Sequence, residues 1–401
     1  MKGSEKIHFA VQASSTSWSG SKDICMNELN EVPVVVHTLK HILKNCENAS
    51  LSLIAPEFDK TGYFNQIPLN FGIDVKLIFA FDESPLKRMV SAFQHLADSE
   101  FIVRVDGVNF NFDTDSAIKM LELAKQSQLD CVKFPDDYPI NFTCDVYRIG
   151  ALRKLLNLLN GTSTVYSIHP KYYMLIHPEI FKFEYFNDYN IPTDDFLKSS
   201  RTLYADIYNE REGSQKKRIT TGDQQGFHYE IVLTYLTGNM TVLDIACGVG
   251  YGTNLLAQKV QKVIGVDIDE KTIDNIKEEF SDVKNLEFCL ANVLQTGFEY
   301  DCFDLIASME TIEHIPDEHQ YLQEMKRILK PNGYFIFSTP QNRLGHIPMN
   351  NNHIKEYRLD ELIELTEQYF KIEKTIGIKQ GRIVIEGNNS GTNTMLICRK
   401  Q

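Results

Sequence analysis

An apolar run that ends in an acid, turns through closely spaced glycines and re-enters an apolar stretch leaves a chain few folds to choose from. Residues 242–252 read VLDIACGVGYG, and fifteen residues beyond Gly252 a second apolar run, VIGVDID, reaches Asp267. Such a strand, turn and helix belong to a βαβ unit of a parallel sheet, with bare backbone at the turn set against a ligand. A glycine triplet alone also fits dinucleotide binders and plain structural turns. Three further residues narrow the reading. Asp244 stands four residues before Gly248, where a pyrophosphate gains nothing from another negative charge but a cationic amino-acid ligand does. Asp267 is placed to accept both hydroxyls of a ribose. Asn292 follows a third strand-like run, Leu286 to Leu290, where a side-chain amide meets an adenine edge. A nucleoside joined to a cationic amino acid is the chemistry of S-adenosylmethionine (SAM).

At 401 residues the chain suits two domains, each large enough to bury a core. Its hydrophobic content of 43% and charged content of 24% are those of a globular protein. A formal net charge of −13 repels phosphate backbones and anionic lipid, so neither nucleic acid nor a membrane surface is an expected partner. The eight cysteines form no CxxC pair, which favours reduced thiols over a disulfide framework or a zinc knot. The start, MKGSEKIHF, has no apolar signal core, and no apolar run approaches the roughly 20 residues of a spanning helix. A cytoplasmic location is expected.

Strand-like and helix-like runs alternate from Ile7 onward, which predicts a mostly parallel sheet covered on both faces. A polar segment, 209–224 (NEREGSQKKRITTGDQ), interrupts the pattern, and a second alternation follows. The expected fold class is α/β with two doubly wound domains, 1–212 and 213–401, and a boundary inside that segment.

The second half, from about residue 222 to the end, resembles the class I SAM-dependent methyltransferases over the length of their domain. The residues that carry the resemblance are VLDIACGVGYG, GVDID, SMETIEHIPD at 308–317, LKPNGYFIFSTPQNR at 329–343 and NHIKEYRLDEL at 352–362. It implies a seven-stranded Rossmann-like sheet with one antiparallel strand, SAM across the carboxyl ends of the first two strands, and the acceptor over strands four and five. Carried over residue by residue, Asp244, Gly248 and Gly250 contact the methionine end, Asp267 the ribose and Asn292 the adenine. Many relatives have Asp where this chain has Asn292, and both accept a hydrogen bond.

Methyl transfer from a sulfonium to a hydroxyl needs alignment and the removal of one proton. Spacing places Glu310, Glu313 and His314 on one side of a single helical turn, and His353 lies further along. Two carboxylates and two imidazoles suit Mg²⁺, Mn²⁺ or Zn²⁺. The arrangement looks like the metal site of small-RNA 2′-O-methyltransferases, and ubiquinone-pathway O-methyltransferases carry a similar cluster. The other reading has no metal: Glu313 caps the turn and His314, lining the acceptor pocket, is the general base.

The first half resembles the cytidylyltransferases that include spore-coat polysaccharide enzymes and CMP-sugar synthetases, through FAVQASSTSWSGSK at 9–22, FIVRVDGVNFNFDTD at 101–115 and HPKYYMLIHPEIFKF at 169–183. That resemblance implies a nucleotidyltransferase-like sheet of the GT-A type. The chemistry departs from the pattern. Ser14 stands for an arginine, Gly20 and Lys22 are what remains of the basic loop, and Val108 replaces a metal-binding aspartate, although Arg104, Gly107 and Asp113 persist and Asp106 lies two residues away. An anionic triphosphate needs cations and bare amides together. The expected function is O-methylation of a sugar, sugar nucleotide or related small molecule for a surface glycan or secondary product, beside an inactive first domain. Two alternatives are an active CMP-sugar cytidylyltransferase in the first domain, and a noncatalytic first domain that docks or forms homo-oligomers.

Overall fold

The structure is a computed structural model that describes residues 5–16, 22–81, 84–160, 162, 164–209, 224–345 and 347–401. The chain divides into two compact units, Met1–Ser214 and Gln215–Gln401. Most of the polar segment at 209–224, and Gly20, lie outside the described residues.

The first unit holds β1 (Ile7–Gln12), a short hairpin of β2 (Glu28–Leu29) and β3 (Val32–Pro33), then β4 (Ala49–Ala55), β5 (Lys76–Phe79), β6 (Phe101–Asp106), β7 (Cys131–Lys133), β8 (Asp145–Arg148) and β9 (Phe183–Tyr185). Apart from the hairpin, these strands form one seven-stranded sheet in the order β5-β4-β1-β6-β8-β7-β9. β5, β4, β1 and β6 run parallel, whereas β8 is antiparallel to both β6 and β7. The helix Thr114–Gln126 starts at Asp113, whose carboxylate accepts the amides of Asp115 and Ser116 as an N-cap.

The second unit contains β10 (Thr241–Ile245), β11 (Lys262–Asp267), β12 (Leu286–Leu290), β13 (Phe303–Met309), β14 (Leu329–Pro340), β15 (Lys371–Lys379), β16 (Ile383–Val384) and β17 (Asn393–Arg399). Their order is β12-β11-β10-β13-β14-β17-β15-β16, an eight-stranded sheet rather than the expected seven. The added strand is β16, two residues that fold back on the end of β15 and are too short to register as a sequence pattern. β17 and β16 both oppose their neighbours, so two strands are antiparallel where one was expected.

The central strands are buried on both faces, which is why Val242, Leu243 and Ile245 read as an apolar run interrupted only by Asp244. Helices cover each side. Glu318–Ile328 is capped by Asp317, which accepts the Gln320 amide, and presents Tyr321, Leu322, Met325 and Ile328 to the core at helical spacing. The order reverses between β10 and β13, and ligands of open α/β sheets bind at the carboxyl ends beside such a switch. That edge gathers Asp244, Asp267, Met309 and Ser338. It also gathers Asn393, because the antiparallel β17 starts opposite Pro340.

Candidate functional site

Between β10 and the helix Tyr251–Ala257 the backbone takes left-handed conformations at Ala246, Gly248 and Gly250, with φ of 55°, 52° and 76°. The glycines do different work. A Cβ on Gly248 would meet nothing within 4 Å, so the turn leaves open space beside its Cα, where a ligand can approach the backbone. A Cβ on Gly252 would fall 2.0 Å from Tyr229 Cζ. The third glycine thus exists to let a tyrosine ring lie against the loop.

The two acids hold this loop from different sides. Asp267, at the end of β11, accepts the Gly248 amide at 2.9 Å and the Asp269 amide at 3.1 Å, and a carboxylate still has lone pairs to offer a ribose. Asp244 is fully buried; it accepts Tyr229 OH at 3.1 and 3.3 Å and Thr253 Oγ1 at 2.7 Å. Burial pushes its carboxyl up to about 7, against the pull of those two hydroxyls. Asp244 is therefore fully buried beneath the loop, tied to the helix that carries Tyr229 and to Thr253. Asn292 lies exposed beyond β12 with its Oδ1 accepting the Leu294 amide at 2.9 Å, and so keeps its amide group at the surface. Cys247 is buried and its thiol is pushed far up by desolvation, so it stays protonated and inert.

Beyond β13 the candidate acceptor residues separate into two groups. A short 3-10 turn, Ile312–His314, buries Glu313, which accepts Thr339 Oγ1 at 2.8 Å while its other oxygen has no partner. Burial, with the charge of Glu310 behind it, raises the Glu313 carboxyl to about 9. The Glu313 carbonyl takes the Ile354 amide at 2.8 Å, which brings His353 to His314 with ring centroids 4.9 Å apart. His314 Nδ1 lies 2.8 Å from the Asn352 carbonyl, so it donates there and leaves Nε2 as a ligand atom. His353 Nδ1 meets Glu356 Oε1 at 2.7 Å. One ligand atom each of Glu313, His314 and His353 lies within 4.8 Å of the others, and with the unpartnered Glu313 oxygen this donor set fits a divalent cation.

Glu310 does not join them. Its backbone φ of 52° turns it out of the helical path that spacing suggested, and its oxygens accept Ser338 Oγ at 2.8 Å and Asn393 Nδ2 at 2.7 Å. The four-residue cluster is therefore corrected to three, with Glu310 in a separate group beside the buried His228.

In the first unit, Arg104 is committed within the sheet. It donates to Gln12 Oε1 at 3.0 Å and pairs with Asp106 and Asp145. Asp106, the stand-in for the missing metal-binding aspartate, is thus neutralised by a guanidinium, and Asp145 is held also by Lys171 at 2.9 Å. Asp113 is a helix cap. Ser14 Oγ donates to the Thr16 carbonyl at 2.8 Å. We expect no CTP-dependent pyrophosphate release from the full chain with an acidic sugar. Release that Asp106→Ala abolishes would overturn this.

Residues 236–390 match the family model described as a methyltransferase domain. The second unit carries a class I SAM-dependent methyltransferase domain. Among its relatives is a probable S-adenosylmethionine-dependent methyltransferase of Mycolicibacterium smegmatis, 32% identical over 155 residues, which are 37% of this chain and 59% of that protein. The ubiquinone biosynthesis O-methyltransferase of Coxiella burnetii is 32% identical over 99 residues, 24% of this chain and 42% of that protein. This chain thus spans less than two thirds of the curated relatives it matches. A solved SAM-dependent methyltransferase from Aquifex aeolicus aligns with a TM-score of 0.37 at 19% identity, covering 46% of this chain and 95% of that one. Among the described residues, no helix is long and apolar enough to cross a membrane.

The structure also brings to this sheet edge residues that the sequence pattern does not single out. Tyr229 and His228 sit on a helix, Gln224–Leu233, that precedes the glycine loop. Ser338 and Asn393 sit on sheet strands. The available signal was the adjacent pair His228-Tyr229, sixteen and fifteen residues before Asp244, and nothing in its pattern separates it from ordinary core residues.

Proposed function

We propose that the domain transfers the methyl group of SAM to a hydroxyl oxygen of a small molecule, a sugar or sugar nucleotide. The observation that carries this is one sheet edge holding the open glycine turn with Asp267 and, two strands away, a buried carboxyl and two imidazoles. The relative in ubiquinone biosynthesis, an O-methyltransferase by name, supports an oxygen acceptor. The first unit, a mixed sheet whose Arg104 and Asp106 neutralise each other, suits an inactive cytidylyltransferase-like module that binds the sugar nucleotide or pairs two copies of the chain.

In this reading Asp267 holds the ribose and the Gly248 turn, Asn292 faces the adenine, and Tyr229 links the cleft to Asp244. Glu313, His314 and His353 would hold the cation, which when bound lowers the pKa of an acceptor hydroxyl. Glu356 fixes the ring of His353.

The test is methyl transfer from isotopically labelled SAM to a panel of CDP-, CMP-, GDP- and UDP-sugars, with and without EDTA. We expect one sugar class to be labelled. Turnover should fall at least about tenfold in chelator and return with Mg²⁺, Mn²⁺ or Zn²⁺, while SAM affinity holds. Full turnover in EDTA would reject the cation and leave His314 lining the acceptor pocket; no labelled product with any sugar would reject the acceptor class.

A further inference from the structure

We propose that His228 takes the acceptor's proton, with Ser338 and Glu310 as its positioning residues. The inference rests on the methyl-transfer reading and adds a base outside the Glu313, His314 and His353 group. His228 is 4% exposed on a helix whose next residue, Tyr229, is anchored to Asp244 below the glycine loop. The ring is therefore fixed relative to the cofactor turn.

The hydrogen bonds define its tautomer. Ser338 Oγ has one proton, and the Glu310 carboxylate oxygen 2.8 Å away can only accept, so the proton goes there. His228 Nδ1, 2.9 Å from the same Oγ, must then donate. That leaves the lone pair on Nε2, which bonds to none of the described residues. Asn393 Nδ2 secures the second Glu310 oxygen, and the left-handed backbone at Glu310, a conformation costly for a side-chain-bearing residue, aims the carboxylate at this group. Burial lowers the imidazole pKa and Glu310, the charged group facing it, opposes that, so the ring is neutral and ready to accept.

Met309 ends β13, and its partner Ser338 lies two residues before the end of β14, the strands over which an acceptor would lie. In the step we assign, the acceptor oxygen forms its bond to the methyl carbon as the carbon–sulfur bond breaks and its electron pair returns to sulfur. The hydroxyl proton passes to His228 Nε2. The imidazolium formed is stabilised through Ser338 by the Glu310 carboxylate, a histidine held by an acid through one hydroxyl.

The test is ¹⁵N-histidine NMR of the full chain, with the His228 signal assigned by its loss in His228→Gln and SAM carrying a ¹³C-methyl group. We expect the Nδ1–H tautomer in about tenfold or greater excess near pH 8. We also expect a nuclear Overhauser contact from the SAM methyl to the His228 ring. In Glu310→Gln, Asn393 draws the amide oxygen and turns the NH₂ toward Ser338, so Ser338 donates back to Nδ1 and the tautomer preference collapses. A merely structural histidine would show no contact to the methyl. An Nε2–H tautomer, or no contact in a protein that calorimetry shows saturated with SAM, would overturn the base assignment alone. Failure to bind SAM would overturn it together with the methyl-transfer reading.

Discussion

Gly252→Ala should destabilise the methyltransferase domain and weaken SAM binding at least about tenfold. An alanine methyl would lie 2.0, 2.3 and 2.5 Å from three carbons of the Tyr229 ring, distances at which something must move. The glycine belongs to a helix packed on the sheet, and Tyr229 is itself buried, so the tyrosine has little room to retreat. Overpacking of this kind costs about 1–3 kcal/mol. If the ring swings away, its hydroxyl leaves Asp244, and a buried acceptor that loses a partner costs about 1–3 kcal/mol more. Scanning calorimetry should therefore show a lower Tm, and titration a raised Kd for SAM. Gly248→Ala is the control for stability. Its new methyl meets no neighbour, so only the left-handed backbone, at roughly 1–2 kcal/mol, opposes it. A Gly252→Ala protein with unaltered Tm and Kd would show that Tyr229 does not rest against the loop.

The second large effect is on pH. Asp244 carries a folded-state pKa raised from 3.8 to about 7, so between those values the native protein holds a proton that the unfolded chain releases. Stability from this group is greatest below pH 3.8 and falls as pH rises to about 7, by an upper bound of about 4 kcal/mol. Asp244→Asn should flatten that part of the stability profile in denaturant titrations across pH 4 to 7. In the proposed site the ammonium and sulfonium of SAM would favour an ionised Asp244, so SAM affinity of the unaltered protein should rise with pH over the same window, with proton release detectable by calorimetry in two buffers. A profile identical in Asp244→Asn would contradict the assignment.

The parts legible in the sequence are those that backbone geometry dictates. The glycine turn, the acid ending β11 and the alternation of strands and helices follow from steric and burial demands that only certain residues meet. Gly252 was legible as part of the turn, but its partner Tyr229 was not, because a tyrosine in an apolar helix announces no particular contact. Glu310 shows the limit of spacing. Three residues before Glu313, it would share a helical face only if the backbone were helical there, and its φ of 52° sends it to Ser338 and Asn393 instead. His353 was found from a motif alone, and its meeting with His314 depends on amides at Ile354 and Lys355 that donate to the Glu313 carbonyl. In the first unit, the sequence offers Asp106 as a metal ligand, but the structure sets the Arg104 guanidinium against it.

The central claim is that the glycine turn and Asp267 form a SAM site. Isothermal titration of SAM into the full chain tests it most directly. The account predicts one SAM per chain and, in Asp267→Ala, an affinity loss of about 1.5–3 kcal/mol, the range for hydrogen bonds to a charged group. SAM that fails to bind, or binds Asp267→Ala as tightly as the unaltered protein, would contradict it.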